Sequence, residues 1–126
     1  MAQRQHDFDR LRVWAALPDD QLEKLIDADS IAAMHRIMVL LGADSRRSGF
    51  PVDRADFVTT VREMDRVCRE GSRSLGAAII EASEWGERKD TERARAVYER
   101  FLAGCRSKFH REIARYQLRK IGAAGG

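Results

Sequence analysis

The sequence predicts an all-α fold. Three observations carry this expectation. Only Pro18 and Pro51 occur among 126 residues, so nothing from Val52 onward interrupts a helix through proline. No stretch alternates apolar and polar residues between hairpin turns, as strands would. From Phe57 the apolar positions Val61, Met64, Cys68, Gly71, Leu75, Ala78, Ala82 and Trp85 follow in steps of four and three, a seven-residue period.

The elements follow in order. A first helix is expected over about Gln5 to Ala16, with Phe8, Leu11 and Ala15 at helical spacing and Val13 and Trp14 widening the stripe. "LPDDQLEKLI" restarts the helix, with Pro18 in the first turn and Asp19 and Asp20 against the positive end of the dipole. "DSIAAMHRIMVLLG" is the next, capped by Asp29 and stopped by Gly42; one bent helix is the alternative for these two segments. "ADSRRSGFP" reads as a loop and a hinge. Asp53 then caps a helix with Asp56 at its third position, and Val52 is placed to staple Phe57.

The long helix is expected over about 54–85. Gly71 and Gly76 fall within it, yet the seven-residue phase continues past both, so neither is a break. Gly71 lies on the seam and predicts a close approach by another element. Gly86 and "ERKD" end the helix. Asp90 or Thr91 caps the next one, in which Ala94, Val97, Tyr98, Phe101 and Leu102 face inward and Gly104 is the stop. Ser107 caps the last, lined by Phe109, Ile113, Ala114, Gln117, Leu118 and Ile121 and ended by Gly122. The result is a bundle with a long central helix and a C-terminal antiparallel hairpin at about 91–121. One domain, 1–126, is expected: N-terminal helices 5–42, a loop 43–52, a helical region 53–121 and a flexible tail 122–126.

Composition excludes several classes. No apolar run is long enough for a membrane span, and the polar start "MAQRQHDFDRLR" lacks a signal-peptide core, so a cytoplasmic protein is expected. Two cysteines, Cys68 and Cys105, read as buried thiols, with a disulfide as the alternative. Charge is unevenly spread. Residues 1–87 hold 12 Lys/Arg and 16 Asp/Glu, residues 88–126 hold 11 and 4, and the chain totals +3. Such asymmetry suits an acidic partner, nucleic acid or pairing of opposite ends.

No motif carries chemistry. "FHREI" holds His-x-Glu, but no Pro-Cys-x-x-Cys and no HExxH accompanies it. His6, His35 and His110 lack ligand companions at metal spacing, and His110 reads as a surface or boundary residue. Cys68 sits on the apolar seam, and nothing selects a base for Cys105. Glu81 and Glu84 read as solvated surface acids. "GADSRRSG" lacks the Lys-Ser/Thr of a phosphate-binding loop. No catalytic, cofactor or metal site is expected. The strongest surface signal is basic. Lys108, Arg111, Arg115 and Arg119 share one face of the last helix, and Arg93 and Arg100 extend it from the neighbouring one. The alternative for this stripe is an ordinary solvated face.

The segments "REGSRSL" (Arg69 to Leu75), "ARAVYERFLA" (Ala94 to Ala103) and "FHREIARYQLRKI" (Phe109 to Ile121) resemble the myxobacterial DUSAM-domain paralogous family. The likeness covers roughly residues 60–121. It implies a small bacterial protein, one of many paralogues, in a family with no assigned activity, and it carries over no catalytic residue. The last two helices are also similar in outline to a tetratricopeptide hairpin, with Ala94 and Tyr98 in matching places, although one hairpin makes no repeat array.

These readings converge on a non-enzymatic helical interaction module, monomer or homodimer, that neutralises or regulates another bacterial protein. Nucleic-acid binding through the same basic face is the alternative, and an enzyme with an unrecognised site is the third.

Overall fold

The computed structural model describes residues 2–43 and 49–125, with side chains described from His6 to Gly122 outside the gap. The expected loop and hinge around "ADSRRSG" falls largely on residues 44–48, outside the described residues. Among those described there are six helices and no strand: α1 (Ala2–Ala15), α2 (Asp19–Glu23), α3 (Ala28–Leu41), α4 (Arg54–Glu87), α5 (Thr91–Gly104) and α6 (Lys108–Gly125). The all-α architecture with a long helix and a C-terminal hairpin is therefore the fold. The chain divides into two compact units, 1–68 and 69–126, with the boundary inside α4.

In the first unit, α1 and α3 pack together. Leu11, Trp14, Met34, Ile37, Phe57 and Val61 are buried in this unit. Val13, expected to widen the stripe of α1, is exposed instead. Arg62 on α4 donates to the carbonyls of Ala15 and Leu17 at 2.9 Å each and pairs with Asp19. It thereby satisfies carbonyls that the end of α1 leaves without helical partners.

Two local expectations are corrected here. The cap of α3 is Asp27, not Asp29. Its Oδ1 accepts from the Ser30 N–H at 2.8 Å while Ser30 Oγ accepts from the Asp27 N–H at 2.9 Å. Only Asp27 has a hydroxyl three residues on to return the bond. The backbone bond holds the Asp27 carboxyl below its ordinary value. At α4, Asp53 does cap, accepting from the Asp56 N–H at 2.7 Å. Val52, however, is 74% exposed, and the Phe50 ring stacks on Phe57 at 6.4 Å in its place. The Phe50–Pro51 bond is cis. Gly42 ends α3 as expected, in the left-handed conformation. Its N–H reaches Val39 O and that of Ala43 reaches Met38 O, the paired bonds of a Schellman stop.

In the second unit, Leu75, Ala78 and Ala82 from α4 meet Ala94, Val97, Tyr98 and Phe101 from α5 and Ala114 from α6. Trp85, Leu102, Ile113, Leu118 and Ile121 close around them. Asp90 caps α5, accepting from the Arg93 N–H at 3.1 Å. α6 continues beyond the expected stop at Gly122 to Gly125.

α4 runs to Glu87, two residues past the expected 85 and within the expected stop "GERKD". It ends in a second Schellman arrangement, with Lys89 N–H on Gly86 O and Asp90 N–H on Trp85 O. The residue in the left-handed position is Lys89, φ 60°, where glycine is at home and a Cβ is strained. Lys89→Gly is therefore expected to stabilise the protein by about 1 kcal/mol, read as a higher denaturation midpoint.

Candidate interaction surface

The basic face begins at the start of α6. Ser107 caps this helix as expected: its Oγ accepts from the His110 N–H at 3.3 Å. The same hydroxyl shares a 2.6 Å hydrogen bond with Nδ1 of the His110 ring. His110 is thus buried, a correction to its reading as a surface residue. Its ring fills the space that Gly71 leaves on α4. A Cβ built at Gly71 would lie 2.7 Å from His110 Nδ1 and 3.1 Å from Ser107 Cβ. The close approach expected at Gly71 is real, and what approaches is an imidazole. Gly76 has open space around its would-be Cβ.

Downstream of this anchor, Lys108, Arg115 and Arg119 are exposed, and Arg111 is half-buried. None of the four forms an ion pair among the described residues. Arg111 differs from the others because its Nε is buried without a hydrogen-bond partner. The two residues expected to extend the stripe are already engaged. Arg100 Nη2 lies 2.7 Å from Glu81, so Glu81 is not the freely solvated acid expected. Arg93 pairs with Asp90 at 3.4 Å and sits 4.6 Å over the Trp85 ring. The free cationic face is consequently the α6 set.

Sequence reasoning missed Tyr116. It is 51% exposed beside this face, with Arg119 5.8 Å and Lys120 5.6 Å from its ring centre. Its place next to two cations on one helix was the available signal.

Cys68 and Cys105 are both free thiols. Burial, with the Asp65 carboxylate, pushes the Cys68 thiol up and away from the reactive thiolate. Burial likewise pushes the His110 imidazole down toward its neutral form. Ser107 and His110 have the atoms of a nucleophile and base, but Ser107 is 1% exposed and spends its hydroxyl on the cap. Among the described residues, no group of three His, Cys, Asp or Glu could hold a metal ion. No described helix is long and apolar enough to cross a membrane.

Among the described residues the fold is all-helical, and α6 carries a cationic face without acidic partners. No family model, curated protein or solved structure matches the chain.

Proposed function

We propose that this chain is a non-enzymatic interaction module that docks an acidic surface of another bacterial protein, in the cytoplasm, and neutralises or regulates it. The observation that carries this reading is the α6 face: Lys108, Arg115 and Arg119 are exposed and lack acidic partners among the described residues. Solvated charges on a short, stiff helix keep most of their field for an incoming partner. The resemblance to the DUSAM-domain family suits the same role, since a set of paralogues with divergent surfaces fits a set of partners.

Arg115→Glu with Arg119→Glu is the direct test. Both side chains are exposed and lack acidic partners among the described residues, so the fold is expected to hold, whereas Arg111 is partly buried and would confuse the result. The double reversal is expected to weaken capture of the partner about ten-fold or more. Quantitative affinity purification from the source cells measures this, and unchanged recovery rejects the face as the interface.

Tyr116 under Arg119 and Lys120 favours one second reading, single-stranded nucleic acid on a cation-flanked aromatic. That reading requires a mobility shift with generic DNA or RNA that falls steeply as salt rises. Absence of a shift at low salt removes it.

A further inference from the structure

The second unit holds a groove of about 680 Å³ at the α4–α5 turn, a size that suits a small ligand. Ile79, Ala82, Ala94 and Ile121 give it an apolar floor. Tyr98 also lines it. The residue as a whole is 4% exposed, and its hydroxyl, which makes no hydrogen bond among the described residues, keeps its access to solvent at the groove. Burial raises the Tyr98 pKa, so the group stays a neutral donor. Gln117, a polar residue on the inward stripe of α6, lines the same groove and also lacks a partner. Glu87 and Lys89 stand among the lining residues, and their charges cancel.

We propose that this groove binds an uncharged amphipathic small molecule, its apolar body on the floor and its amide or ester carbonyl accepting a hydrogen bond from the Tyr98 hydroxyl. The floor supplies the burial, and the unpartnered phenol and amide supply the orientation. A net charge on the ligand would be desolvated against a groove with no net charge of its own, which disfavours carboxylates and amines.

The test uses the full chain with N-phenyl-1-naphthylamine as a fluorescent probe and octanamide, octanoate and octylamine as competitors. Saturable fluorescence enhancement is expected, with octanamide displacing the probe at least about ten-fold more effectively than either charged analogue. Tyr98→Phe should weaken octanamide about five-fold, the worth of one neutral hydrogen bond, without lowering the melting temperature. Ser83→Trp, at an exposed position of the lining, should block the probe. Absence of a saturable signal overturns the proposal. So does equal displacement by octanoate or octylamine, or unchanged octanamide affinity in Tyr98→Phe. Should Tyr98→Phe fail to fold, Ser83→Trp decides: undiminished probe binding there overturns the assignment.

Discussion

Gly71→Ala is expected to destabilise the protein by about 1–2 kcal/mol, opposite to the usual sign for a glycine inside a helix. Alanine normally gains about 1 kcal/mol over glycine in a helix interior. At position 71 the added methyl would stand 2.7 Å from His110 Nδ1 and 3.0 Å from its Cγ. The ring cannot swing aside cheaply, because Ser107 holds it at 2.6 Å. Overpacking of this kind costs about 1–3 kcal/mol, which outweighs the propensity gain. Denaturant titration measures the change. Combining Gly71→Ala with His110→Ala removes the clash, so the two substitutions together should cost less than the sum of each alone. A higher midpoint for Gly71→Ala by itself rejects the packing described for this site.

Arg36→Ala should cost about 2–3 kcal/mol, in the first unit. Asp7 is 1% exposed, and Arg36 grips both of its oxygens, Nε to Oδ2 at 2.8 Å and Nη2 to Oδ1 at 3.0 Å. The bidentate fork holds the guanidinium above its ordinary pKa, chiefly through these hydrogen bonds. Removing it takes the bidentate guanidinium from a buried carboxylate; breaking a fully buried pair costs about 3–5 kcal/mol. The Arg36 side chain is 40% exposed, and that water contact sets the lower figure. Replacing both partners with apolar residues, Asp7→Leu with Arg36→Met, should recover most of the loss. Equal melting temperatures for Arg36→Ala and the parent protein would show that the pair contributes nothing.

The sequence made α4 legible because its signal is local and repeated. Phe57, Val61, Met64, Leu75, Ala78 and Ala82 are all buried, in the order that the seven-residue phase requires. The same phase marked Gly71. What it could not supply was the identity of the approaching group, since His110 lies far along the chain in a pattern that reads as a polar helix start. Phe50 was hidden by Pro51: helical spacing says nothing about a residue beyond the turn, so the nearer Val52 took its role. Asp27 and Asp29 compete on equal terms until Ser30 is seen to answer one of them.

The basic face was half legible. Periodicity placed Lys108, Arg111, Arg115 and Arg119 together, but which cations remain available depends on long-range pairs. Glu81 reaches Arg100 across 19 positions of sequence, and no spacing rule finds it. The groove was not legible at all. Tyr98 reads as core, and its ring is core; only tertiary packing decides whether the hydroxyl ends on a partner or in a cavity.

A seven-residue seam has a weakness that the Gly71 site remedies. Such a seam looks nearly the same after a slide of two turns, so apolar matching alone leaves the axial position of a neighbouring helix degenerate. The notch at Gly71 occurs once, and the Ser107-held imidazole that enters it occurs once. Together they act as a key in a keyway: a shift of α6 along α4 drives the ring into a turn that carries a side chain. Close packing at one residue thereby selects a single register from several that hydrophobicity would accept.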